Sequence, residues 1–187
     1  MDDSIPFASR EYFILLGLLA FSRAADFFST WIATPHLALE GNPLAKWLGW
    51  KWGVALNVIL IPLLARWPLV SIAFSTTSLL VAARNFQSAW LMRSMGEAAY
   101  SDWYVRRICE TQFGLLFGCL AGNVFLFALP GAALFLYGGE QLIPTAIGLG
   151  VLVYSLAVAV FVSLSYWRIR RRRVVQISSA LEKSALN

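Results

Sequence analysis

The chain has 187 residues, of which 59% are apolar and only 13% charged, with 15 Lys and Arg against 10 Asp and Glu. A charged share about half that of soluble domains excludes an ordinary soluble domain and a disordered chain, and two cysteines exclude a disulfide-built scaffold. The composition is that of a membrane protein whose length allows one compact domain.

Five uncharged or nearly uncharged stretches alternate with charge-bearing connectors, the pattern of an all-α polytopic transmembrane helix bundle. The first runs from Tyr12 to Ala33. It lacks a basic start, is overlong for a signal core and carries Arg23 and Asp26, so it reads as a span and not a cleaved leader. Arg23 and Asp26 are three residues apart and share a helix face. Unpaired, either would cost at least roughly 2.5 kcal/mol in the bilayer, so they need each other, another span, or water. The pair is either an ion, proton or headgroup site or an internal ion pair that pins helices together.

The connector Thr34-Pro35-His36-Leu37-Ala38-Leu39-Glu40-Gly41-Asn42-Pro43 reads as folded: Thr34 can cap and Pro35 open a short helix that Gly41 ends. In such a helix His36 and Glu40 face the same way. With Asp26 they offer three metal-ligand types, but the chain has a single histidine and catalytic zinc sites usually use more, so no metal or cofactor is assigned. Asp26-x3-Thr30 in an apolar helix, followed by Glu40-Gly41-Asn42-Pro43, resembles a family of small uncharacterised prokaryotic membrane proteins with an Asp-x3-Thr helix and a Glu-x-Asn-Pro turn. The resemblance covers residues 20–50. It implies a membrane fold and marks Asp26, Thr30, Glu40, Asn42 and Pro43, without implying a reaction.

The second segment, Leu48 to Ala65, contains Asn57, and only Arg66-Trp67-Pro68 separates it from the third, Pro68 to Trp90. The uncharged core of the third ends at Ala83, short for a span, so a full crossing requires the helix to continue past Arg84, with that side chain reaching the headgroups or buried against a partner. The alternative is four spans plus a re-entrant segment. The serines and threonines of the third segment can satisfy themselves on their own helix carbonyls and demand no pore. The connector after it mixes aromatics with both charge signs, as suits a segment at headgroup depth.

The fourth segment, Gln112 to Tyr137, carries Gly114, Gly118 and Gly122 on one face, suited either to an internal seam or to a dimer surface. Asn123 continues that strip and, like Asn57, is a candidate cross-link. Pro130-Gly131 should bend or end the regular helix. Cys109 and Cys119 read as free thiols. The fifth segment, Leu142 to Trp167, completes a bundle of residues 1–167 and leads into a basic tail, 168–187. Its Arg168–Arg173 cluster begins at a span end and is read as contacting anionic lipid headgroups, not nucleic acid.

The basic tail and the connector arginines place the C-terminus in the cytoplasm and the N-terminus outside, for a prokaryotic inner membrane. No nucleophile elbow, phosphate loop or zinc-protease signature is present. The leading reading is a non-catalytic subunit or scaffold, alone as a homodimer or within a membrane complex. The alternatives are a small ion-coupled or polar-solute transporter using Arg23 and Asp26, or a lipid-acting enzyme using Asp26, His36 and Glu40. Whether the protein is an enzyme stays open at this stage.

Overall fold

The computed structural model describes residues 4–37 and 43–185, with side chains placed for 4–37 and 46–171. Among the described residues there are six α-helices: α1 (Arg10–Ala33), α2 (Pro43–Leu64), α3 (Pro68–Met95), α4 (Glu97–Glu110), α5 (Phe113–Tyr137) and α6 (Leu142–Ala185). Among the described residues, five segments are long and apolar enough to cross a membrane: Arg10–Ala33, Lys46–Leu64, Pro68–Met95, Phe113–Tyr137 and Leu142–Arg171. These are the five stretches expected from the charge pattern. The third runs on through Arg84 to Met95, as a full crossing requires. α6 continues without a break past Arg168, so the basic tail begins as an extension of the last span.

Local chemistry sets the helix ends. Ser9 caps α1 by accepting the Tyr12 N–H at 3.1 Å, and Pro68 opens α3, where its missing N–H costs nothing. Gly96, at φ 79°, turns the chain from α3 into α4, a conformation that side chains with a Cβ resist. Within α2, Gly49 at φ 65° and ψ −174° kinks the helix near its start. The expected helix opening at Pro35 does not form through the described part of that connector. Thr34 instead closes α1, donating its N–H to Thr30, and a left-handed Leu37 at φ 55° interrupts any helix there. α5 stays helical through Pro130.

The helices pack in the order α1 on α3, α3 on α6 and α6 on α5; α2 leans on α1, and α4 lies across α3 and α6. The α1 face turned inward is Tyr12, Leu15, Leu19, Ser22, Ser29 and Ala33, and the α3 face is Ser71, Ser75, Ser78, Ala82 and Ala89. Asp26 and Asn85, both partly buried, fill the gaps in these alternating three- and four-residue steps. Both series therefore follow a heptad, the spacing that keeps one seam facing its partner along two slightly supercoiled helices. Asn85 reaches the Ser29 hydroxyl at a sequence separation of 56, a whole number of heptads, so the two series run in phase. α1 contributes larger apolar side chains at Tyr12, Leu15 and Leu19 and small ones from Ser22 on, whereas the α3 face is small throughout.

The other seams rest on different glycines from those expected. A Cβ at Gly148 would lie 2.5 Å from the Phe135 backbone nitrogen, and one at Gly131 2.9 Å from Val151, so α5 and α6 touch backbone to backbone. A Cβ at Gly150 would lie 2.5 Å from the Ala73 carbonyl, and Thr77 donates to the Gly150 carbonyl at 2.9 Å, tying α3 to α6. Leu120, Tyr154 and Val158 fill the core between α5 and α6. Gly114, Gly118 and Gly122 do not form an internal seam: a Cβ at any of them meets nothing within 4 Å. The reason is rotational, since α5 turns Leu120 and Gly131 inward and thereby points the glycine stripe and Asn123 outward.

At one end of the bundle the Tyr12 hydroxyl donates to the Pro62 carbonyl at 3.3 Å and the Ile5 N–H to the Arg66 carbonyl at 2.9 Å. At the other, the Trp50 indole donates to the Pro35 carbonyl at 2.9 Å, and Arg170 donates to the Thr111 carbonyl at 2.6 Å and the Ile108 carbonyl at 3.2 Å, closing the C-terminus of α4.

Gly148→Ala is expected to cost at least about 1 kcal/mol by forcing two backbones apart, whereas Gly118→Ala, on the open face, should leave the melting temperature in lipid nanodiscs unchanged. Equal effects of the two changes would contradict the packing of α5 on α6.

Candidate functional site: a polar cluster within the bundle

Arg23 and Asp26 sit one turn apart in the middle of α1. The guanidinium donates from one terminal nitrogen to Asp26 Oδ2 at 2.6 Å and to the Ser78 hydroxyl of α3 at 3.1 Å, and from Nε to Asn57 Oδ1 of α2 at 2.6 Å. Asn57 is held for this role, because its amide nitrogen donates to the Gly53 carbonyl one turn back at 2.7 Å. The Phe27 ring lies against Gly53 of α2, 3.4 Å from where a Cβ would stand. The Phe27 and Phe74 ring centroids each lie 5.4 Å from the guanidinium carbon, so aromatic faces supply further electrostatic cover. The Arg23 and Asp26 side chains retain 19% and 17% exposure.

A second polar layer lies one turn further along. Asn85 of α3 donates from its amide nitrogen to Thr30 Oγ1 at 3.0 Å and Ser29 Oγ at 3.3 Å, and the Ser29 hydroxyl donates to the Asp26 carbonyl at 2.9 Å. Asp26 and Thr30 of the Asp-x3-Thr pattern thus line the seam between α1 and α3. The cluster joins three helices through an ion pair whose opposite charges sit side by side. It offers charge compensation and directional hydrogen bonds. Among the described residues no three of the His, Cys, Asp and Glu side chains are grouped as metal ligands would be.

The remaining expected residues lie elsewhere. His36 is not beside Asp26, which lies about 10 Å before the end of α1. Its backbone N–H donates to Glu97 Oε1 at 2.9 Å, and its largely exposed ring nitrogen Nδ1 lies 3.5 Å from the other Glu97 oxygen, in the first turn of α4. Glu40 and Asn42 lie outside the described residues, as does the Pro43 side chain. Asn123 is exposed on α5 and has no hydrogen-bond partner among the described residues, so it cross-links no helices within the chain. Arg84 is half-buried on α3. Burial, reinforced by the neighbouring phenols Tyr166 and Tyr100, pushes Tyr104 well above the usual tyrosine range.

Sequence reasoning missed Ser78, Asn85, Ser29 and Glu97. The first three were legible in the heptad spacing of small and polar residues on α1 and α3. Glu97 had no such signal, since its partner comes from a connector distant in sequence.

No protein-family model, curated protein or solved structure matches the chain. Fold and cluster together define a polytopic α-helical membrane bundle with an internal ion pair.

Asn85→Leu is expected to cost about 0.6 to 1.7 kcal/mol, the range of interhelical hydrogen bonds in membranes, read as a lower melting temperature in nanodiscs. The raised phenol gives a second expectation, with its sign set as follows: the neutral form is favoured by folding, so its contribution is complete below the ordinary tyrosine value and is lost as pH rises through the folded value. In a spectrophotometric alkaline titration, Tyr104→Phe should therefore remove a phenol that ionises above the usual tyrosine range.

Proposed function

We propose that the protein is a non-catalytic integral membrane subunit or scaffold whose intramembrane polar residues specify how its helices pack. The observation that carries this is the coordination of the Arg23 guanidinium by Asp26, Asn57 and Ser78, which engages donors from a single cation with acceptors on three helices. A cation so engaged is satisfied without a ligand, as a packing determinant requires. Asn85 with Ser29 and Thr30 acts in the same way one turn on.

The enzyme reading needs Asp26 and His36 in one cavity, and His36 instead engages Glu97 beyond the end of α1. For transport, the pair would have to open during a cycle. The protein would sit in a prokaryotic inner membrane with its N-terminus outside and its C-terminus in the cytoplasm, consistent with Arg168, Arg170 and Arg171 at the end of the last span. Its surroundings would be lipids, with anionic headgroups at the Arg168–Arg173 tail, and a homodimer or larger membrane complex would use the outward glycine stripe of α5. The short pattern shared with small uncharacterised membrane proteins, Asp26 to Pro43, fits a packing determinant in its first half, since Asp26 and Thr30 both face α3.

The test is a pair of variants measured for folding in nanodiscs. Arg23→Ala should destabilise by about 3 to 5 kcal/mol, because it strands the Asp26 charge. Replacing Arg23 and Asp26 together by leucine should recover most of that loss and retain whatever complex the wild type forms. A double variant that folds as well as wild type but loses a flux across liposomes would overturn the packing role in favour of transport.

A further inference from the structure

α5 sits at the edge of the bundle, packed on α6 through the face that carries Leu120 and Gly131. Its opposite face is exposed, and the residues there recur in a set order. Leu115, Cys119, Gly122, Leu126 and Leu129 follow alternating steps of four and three, the heptad spacing by which two helices share a seam. Gly118 flanks this strip on one side and Asn123 on the other, and a Cβ at Gly118 or Gly122 meets nothing within 4 Å.

Asn123 lies about 15 Å along α5 from Phe113, near the middle of a hydrocarbon layer about 30 Å thick. Asn57 and Asn85, the asparagines of α2 and α3, are both bonded to side chains of α1. Asn123 is exposed and has no hydrogen-bond partner among the described residues. Lipid tails offer an amide no hydrogen bond, so leaving one unpaired at this depth is unfavourable. Its donor and acceptor call for another spanning polypeptide.

The register selects which one. When two copies of the strip pair in parallel, a residue flanking the seam stands opposite the residue five positions further on in the partner. Five positions beyond Gly118 is Asn123. Each amide therefore meets a stretch of the other helix with no side chain over its backbone, and a carbonyl already bonded within a helix keeps a second lone pair for such a donor. A two-fold axis makes the contact twice.

We propose that α5 pairs with α5 of a second copy of this chain along residues 115–129, the Asn123 amide of each donating to the backbone beside Gly118 of the other. Self-complementarity favours a second copy over a different protein, because the strip supplies both halves of the contact at matching depth. Chains inserted in one orientation present those halves in parallel. This names the partner in the scaffold reading, yet it uses no residue of the Arg23 cluster, so each can fail without the other.

The full chain with Cys109→Ser, in vesicles of the membrane in which it is expressed, keeps Cys119 as its single thiol. Oxidation with copper phenanthroline should convert most of it to a disulfide-linked dimer, because Cys119 lies on the seam. A thiol moved to exposed Val58 of α2, by Val58→Cys with Cys119→Ser, should leave the chain monomeric. In liposomes, energy transfer on dilution should show that Asn123→Leu raises the dimer dissociation constant about tenfold, as two interhelical hydrogen bonds in a membrane are worth. Gly118→Leu, which fills the space facing the amide, should weaken the dimer at least as much. Both variants should keep the wild-type melting temperature in nanodiscs holding one chain, since this face touches nothing within the fold. The proposal is overturned if the wild type stays monomeric at every density, which would leave the strip to lipid or to a different protein. It is equally overturned if Cys119 cross-links no faster than the thiol at position 58, or if both variants associate like wild type. A lowered melting temperature of both variants in single-chain nanodiscs would also overturn it, by making the face part of the internal packing.

Discussion

A guanidinium in hydrocarbon cannot shed its charge to escape desolvation, because its proton is held at any accessible pH. The cost of Arg23 must therefore be met by its surroundings, and meeting it organises one side of the molecule. Asp26 supplies the opposite charge from the same helix, while Asn57 and Ser78 bring in α2 and α3. α2 leans on the bundle through α1, with contacts at its two ends to Pro35 and Tyr12. Between those ends the Asn57 bond is the directional link that sets its rotation and height.

Packing in a bilayer gains nothing from excluding water between helices, so close approach and polar bonds do the work. The structure uses both, in separate seams. α5, α6 and α3 approach through Gly131, Gly148 and Gly150, where backbone meets backbone. α1 and α3 instead pack along a heptad seam, with Asp26, Asn85 and Ser78 as polar members of that repeat. Sliding α3 along α1 would part Asn85 from Ser29 and Arg23 from Ser78 together. Polar residues in a repeating seam choose one register among several of similar apolar fit.

The spans were legible because the bilayer imposes length and charge spacing on any chain that crosses it. That Arg23 and Asp26 share a helix face and need compensation was legible because residues three apart are helix neighbours, while the choice among each other, another span and water was not. The rotation of α5 was not. Gly114, Gly118 and Gly122 form as regular a stripe as any in the chain, yet Leu120 and Gly131 win the internal face, and a one-dimensional pattern does not rank competing faces of one helix. The serines of α3 were read as self-satisfied, which is true of Thr76 and partly of Thr77 but not of Ser78. Their importance comes from being small at heptad spacing, a property independent of their hydrogen bonding. The His36 and Glu97 contact depended on where the chain returns after two more spans, which local spacing does not encode.

The spacing of Arg23 and Asp26 on a single helix bears on how the chain is made. During synthesis α1 leaves the ribosome well before α3, so Ser78 and Asn85 do not exist when α1 must leave the insertion channel. A salt bridge closed within one turn travels with its own helix and lowers the barrier to lateral release without help from later segments. Had the carboxylate been placed on α3 instead, α1 would have had to wait, charged, for its counterion. The order of events would then follow the chain: α1 partitions as a neutral unit, α2 is caught through Asn57, and the arrival of α3 locks both into their final phase.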